Sequence, residues 1–123
     1  MQEIILTGNL GTDPEMRFTP KGVAVTHFNV AVNDYKDRTA WFRISVWGDQ
    51  AENCQKYLAK GSKVLVKGRL TFDEETGGPN AFISNKDGQP RASFEVSALF
   101  VEFLNSKSDA PQKQTTGNLP WKH

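Results

Sequence analysis

Two tryptophans and an arginine alternate along "TAWFRISVWG" (residues 39–48). Successive side chains of a β-strand point to opposite faces. Read as a strand, the stretch puts Trp41, Arg43, Ser45 and Trp47 on one face and Phe42, Ile44 and Val46 on the other. The second set is an ordinary core. The first joins two flat indoles to a guanidinium. An indole offers a π-face on which a nucleobase can stack, at about 1–3 kcal/mol per base, while nearby cations neutralise phosphates. The alternative is that this face packs against a subunit or against a helix of the same chain. Residues close in sequence extend the first reading. Tyr35, Lys36 and Arg38 precede the strand, and Lys63, Lys67 and Arg69 share one face of "SKVLVKGRL" (62–70). Phe72 and Phe82 fall in the connection that follows, where they could equally pack a loop.

Little else in the chain is equipped for chemistry. The histidines are His27, in mid-strand, and His123, at the terminus. His27 reads as a strand-surface or subunit-contact residue. Cys54 falls on the apolar side of a helical stretch, where a cysteine packs as a small hydrophobe. Gly8 and Gly11 follow a strand but open no helix, so a phosphate-cradling loop is missing. Asp73, Glu74 and Glu75 could be drawn as metal ligands or an acid–base pair, but a solvated acidic turn accounts for them. The expectation is a protein without catalysis, metal or cofactor.

The elements that must carry these residues follow from periodicity. "EIILTGNLG" (3–11) reads as a strand. Residues 12–22 are turn-rich, with a short extended piece around Arg17 and Phe18. "VAVTHFNVAVN" (23–33) alternates, and with 39–47 it makes a long hairpin. "GDQAENCQKYLAKG" (48–61) changes period. Asp49 and Glu52 suit a capping box, Ala51, Cys54 and Leu58 share a face, and Gly61 suits the helix end. Residues 62–70 return to strand. Residues 71–92, with Gly77-Gly78-Pro79 and Asp87-Gly88, form a long hairpin or loop. In "SFEVSALFVEFL" (93–104) the alternation favours Phe94, Val96 and Ala98 and then blurs, as at a bulge. Five short strands with one helix between the third and fourth predict an all-β fold with one helix, the five-stranded OB-fold barrel. The domain is expected over 1–104. Residues 105–123 are polar without apolar periodicity, which predicts a disordered tail.

Composition bounds the partners. The 123 residues carry a formal net charge of +1. Residues 1–70 hold ten Lys and Arg against seven Asp and Glu, and residues 71–104 hold two against six. The mildly basic first part is compatible with an anionic partner. A single cysteine rules out an intrachain disulfide and points to a reducing compartment. No apolar run could span a membrane, and the opening residues lack a signal-peptide pattern. A cytoplasmic location is expected.

Two long segments resemble a known family. "ILTGNLGTDPEMRFTPKGVAVTHFNVAVND" (5–34) is similar to the opening of the bacterial single-stranded DNA-binding proteins: a strand, a "GNLG-DPE-R" turn, a "P-G-AV" turn and a second strand. "TAWFRISVWGDQAENCQKYLAKGSKVLVKGRL" (39–70) resembles that family's "T-W-R-V--FG--AE----YL-KGS-V-V-GRL" segment. The likeness covers about residues 3–104. It implies an OB-fold that binds single-stranded DNA with little sequence preference. It also implies homotetramers that act, associated with the nucleoid, in replication, recombination and repair. Trp41 then matches a stacking tryptophan and Trp47 the position of a stacking phenylalanine. Tyr35 lies near another family aromatic, and Phe72 is the counterpart of the aromatic in the loop at 71–92. Leu119, Pro120 and Trp121 resemble a variant of the partner-docking tip of the family's tail, with only Asp109 acidic nearby. The alternatives are an OB-fold module for protein interaction or accessory replication work, with weak DNA binding, and a barrel-based enzyme.

Overall fold

Alternating apolar residues along five stretches make strands whose inward faces meet. The computed structural model describes residues 1–104. The five are β1 (Ile4–Leu10), β3 (Ala24–Asn33), β4 (Thr39–Trp47), β5 (Lys63–Thr71) and β7 (Pro90–Phe103). Around the barrel the order is β1, β5, β7, β4, β3, and β3 returns to β1 through the Asn9–Ala31 and Leu10–Val30 pairs. All these neighbours are antiparallel except β4 and β7, which run parallel. Val30, Ile44, Val64 and Val66 lie at the centre of the core. Two further short strands fall where a short extended piece and a hairpin or loop were expected. β2 (Glu15–Phe18) pairs with β3, and β6 (Asn80–Ile83) pairs with the start of β7 as a hairpin.

The helix α1 (Asp49–Tyr57) lies between β4 and β5 and packs against β2, β3 and β4. It buries Ala51 and Cys54, and Leu58 follows them into the core. The buried Thr26 hydroxyl donates to the Ala51 carbonyl at 2.7 Å and ties α1 to β3. The expected capping box does not form. Gly48 is the N-cap, at φ 71°, and no side chain caps the helix. The chain turns straight from β4 into α1 through this left-handed residue, a conformation that glycine adopts without steric cost. Asp49 and Glu52 therefore sit in the first turn, where carboxylates favour the positive end of the helix dipole. The helix stops at Tyr57, and Leu58 is already extended.

The blurred alternation of the last strand has a structural cause. Lys67 pairs with Phe100 and Gly68 with Ala98, so Leu99 is an extra, unpaired residue. The inward set shifts from Val96 and Ala98 before this bulge to Val101 and Phe103 after it. Without the bulge one half of β7 would turn its apolar residues to water.

Candidate nucleic-acid interface

The pairing of β3 with β4 fixes one outward face. Trp41 stands opposite Ala31, Arg43 opposite Asn29, Ser45 opposite His27 and Trp47 opposite Val25. On the other side of β4, the parallel β7 sets Glu95 beside Arg43 and Ser97 beside Ser45. β5 continues the rows, with Thr71 opposite Glu95 and Arg69 opposite Ser97. Ile44 and Val46 point inward and are buried. The two tryptophans are half exposed, at 54% and 47%, so each ring is partly covered by the protein and partly open to solvent. For Trp41 the support is Gly11. A Cβ at that position would lie 2.4 Å from the indole Cζ3 and 2.7 Å from Cη2, which leaves no room for any side chain. Gly11 is fixed in turn, because its N–H donates to the Asn29 carbonyl at 2.9 Å.

A second supported ring lies at the mouth of the barrel. Phe94 stacks on Phe42 with centroids 5.3 Å apart and planes inclined by 25°, yet it remains 52% exposed. Trp41, Phe94 and Phe82 of β6 border a cleft of about 280 Å³. Asn29, Arg43, Ser93 and Glu95 supply its polar lining. Alternation in the sequence grouped Phe94 with Val96 and Ala98 on one face. The phase is right, but the strand leaves the barrel there and nothing seals the ring. His27, expected as a strand-surface or subunit-contact residue, lies on the Trp41 face opposite Ser45. Its Nδ1 is 3.0 Å from the Ser45 Oγ. Burial lowers its pKa, and the charge of Arg43 lowers it further.

The remaining candidates are dispersed. Tyr35, Lys36 and Arg38 lie in the turn between β3 and β4, with Lys36 Nζ 5.6 Å from the Tyr35 ring centroid. Arg38 Nε donates to Asp34 Oδ2 at 2.7 Å. The backbone N–H of Arg38 is the main cause that holds the Asp34 carboxyl below its usual range. Phe72 is not in the Trp41 cleft. It borders a separate apolar cleft of about 460 Å³ with Leu70, Pro79 and Phe94. Arg69 shares a row with Ser45 across β7, whereas Lys63 and Lys67 face outward on the β1 side of the bulge. Lys67 lies 3.8 Å from Glu3. In the acidic turn, Asp73 Oδ1 accepts the N–H groups of Glu75 and Thr76. Burial pushes the Cys54 thiol up to about 12, which fits a packed, unreactive cysteine. Among the described residues no group of His, Cys, Asp and Glu could hold a metal ion, and no helix is long and apolar enough to cross a membrane. The expected tail, with Leu119, Pro120 and Trp121, lies outside the described residues.

A closed five-stranded barrel with one helix between its third and fourth strands and aromatic side chains on an outward face is an OB-fold. The chain belongs to the Single-strand binding protein family, whose profile matches residues 1–104. It is 46% identical, over 94% of its length and 72% of the relative's, to a single-stranded DNA-binding protein of Paenarthrobacter aurescens. To the single-stranded DNA-binding protein of Xylella fastidiosa it is 30% identical over 94% of this chain and 76% of that one. A crystal structure of a deletion mutant of the single-stranded DNA binding protein from Thermus aquaticus superposes with a TM-score of 0.64 at 34% identity. That match covers 84% of this chain and 40% of the Thermus chain.

Proposed function

We propose that this chain binds single-stranded DNA without strong sequence preference, by stacking bases on Trp41 and Trp47 and neutralising phosphates with Arg43 and neighbouring cations. The observation that carries the reading is the pair of half-exposed indoles flanking Arg43 on one strand face. Exposed apolar rings are costly to leave in water unless a partner covers them, and a base covers them while leaving its phosphate to the cation. Arg69, Lys36, Arg38 and Tyr35 extend the path along the same side of the barrel. Lys63 and Lys67 would join it only if the strand wraps past β7. The chain acts as a binder rather than an enzyme, with residues 1–104 as the binding domain. By the resemblance, it protects exposed strands during replication, recombination and repair in the nucleoid. Leu119, Pro120 and Trp121 would then dock replication and repair proteins.

We further propose assembly into a homotetramer. β1 pairs with β3 only at Asn9 and Leu10, so residues 4–7 pair with no strand on that side among the described residues. An open strand edge is a template for another chain. Beside it Ile5 and Phe100 are exposed at 62% and 47%. Closed symmetry is the usual outcome of such contacts.

Titration with poly(dT) tests the binding. Tryptophan fluorescence should be quenched, and Trp41→Ala and Trp47→Ala should each weaken affinity by about 1–3 kcal/mol while the fold survives. Parent-like affinity in both variants together with failed assembly would make the face a subunit interface and defeat the reading.

A further inference from the structure

The cleft between Trp41 and Phe94 contains one group that phosphate neutralisation does not explain. Glu95 lies next to Arg43 and lines the cleft with its neighbour Ser93. A carboxylate there repels a phosphate. An ionised carboxylate only accepts hydrogen bonds, so it has a use if the ligand brings a donor.

The geometry points to a base-reading subsite: Trp41 and Phe94 border the place of a nucleobase, and Glu95 selects one that carries an exocyclic amine. The inference rests on the DNA-binding reading above and deepens it. Both rings are backed from behind, Trp41 by Gly11 and Phe94 by Phe42. The Ser93 hydroxyl donates to Glu95 Oε2 at 2.7 Å and fixes the carboxylate. Among the described residues no hydrogen bond reaches Oε1. That oxygen is the acceptor for a base amine. Cytosine offers its N4 amine, the group a carboxylate reads in direct base recognition, whereas thymine carries the O4 carbonyl at that position. Uracil carries the same carbonyl, so it too would set oxygen against oxygen. Arg43, on the same row, meets the phosphate of the bound nucleotide. The result is a modest preference at one position within a binder that is otherwise tolerant.

The test compares oligo(dC) with oligo(dU) of equal length at pH 8, by anisotropy of end-labelled strands. Cytosine and uracil differ in the C4 substituent and the state of N3, so the comparison isolates the edge that Glu95 would read. The parent should bind oligo(dC) about three- to tenfold more tightly, the net value of about one ordinary hydrogen bond. In Glu95→Gln the ratio should fall towards one, mainly through better binding of oligo(dU), because an amide can donate to the O4 carbonyl. Phe94→Ala should weaken both strands. Ser93→Ala, which keeps the charge but releases the carboxylate, should also lower the ratio, and it serves if Glu95→Gln loses its fold. A parent without preference, or a ratio unchanged in Glu95→Gln and Ser93→Ala while both strands still bind, overturns the subsite alone. Failure of the parent to bind either strand overturns the DNA-binding reading itself.

Discussion

Replacing Gly11 by alanine tests how Trp41 is held. The added methyl would lie 2.4 Å from Cζ3 and 2.7 Å from Cη2 of the indole. Non-bonded carbons settle near 3.5–4.0 Å, so the ring must move by about 1–1.5 Å. The Gly11 side is fixed through the bond to the Asn29 carbonyl, so the half-exposed indole has to yield. It swings outward, away from the plane that a base would share. A stack is worth about 1–3 kcal/mol, and a tilted ring loses most of it. Gly11→Ala should therefore weaken oligo(dT) binding roughly five- to hundredfold, with a far-UV spectrum like the parent's. Anisotropy of a labelled strand is the assay, because it does not depend on indole fluorescence. The decisive comparison is a double-mutant cycle. Once Trp41→Ala is present, Gly11→Ala has no ring to displace and should cost little more. Additive losses in the cycle, or parent-like binding by Gly11→Ala, would refute the support of Trp41 by Gly11.

Two further outcomes follow from the same face. Affinity should fall as salt rises, with a slope of about −0.7 per phosphate neutralised, and Arg43→Ala should make the slope shallower by about one phosphate; an unchanged slope in that variant would remove Arg43 from the contact. His27 has its pKa lowered, first by burial and then by Arg43, with Arg17 acting the same way and Glu15 and Glu95 opposing. Bound phosphate would offset Arg43 and favour the imidazolium, so affinity should rise as pH falls from the ordinary histidine value of about 6.5 towards the lowered value of His27. His27→Gln should flatten that rise. The sign for folding is opposite: the unfolded chain takes up this proton first, so the contribution of His27 to stability falls as pH drops below about 6.5.

The strand faces were legible because alternation is local. Residues 39–47 declare their inward and outward sets in the sequence, and the register of β3 against β4 follows from a short turn. The helix was legible for the same reason, although its start was not. The signal at Asp49 and Glu52 describes a helix entered from a loop, whereas here a strand enters through Gly48. The cations of "SKVLVKGRL" show the limit of local reasoning. Period two places Lys63, Lys67 and Arg69 together, but it does not say where around the barrel their face points. The parallel insertion of β7 between β4 and β5 decides that. The bulge at Leu99 then separates Arg69, whose row continues to Ser45, from Lys67, whose row ends at Ile5.

Gly11 and Phe94, which help to shape the Trp41 cleft, share a cause for having been missed. Gly11, Trp41 and Phe94 are far apart in sequence and meet because the barrel closes. β1 reaches β3 just before Gly11, which puts a side-chain-free backbone beneath an indole of β4. β7 reaches β4 from the other side, which puts Phe94 on Phe42 and Glu95 beside Arg43. Hydrophobic periodicity reports how much of a strand faces the core; it cannot report where the core ends. Phe94 obeys the inward phase and still emerges, because one residue decides whether a position lies inside the barrel or at its mouth. Charge counting fails in a related way. The acidic excess after residue 70 reads as hostile to DNA, yet Asp73 is engaged in organising its own turn. Glu95, anchored by Ser93, is the carboxylate that lines the cleft with Trp41. Its effect on binding is therefore set by its place beside β4 rather than by the net charge of its segment.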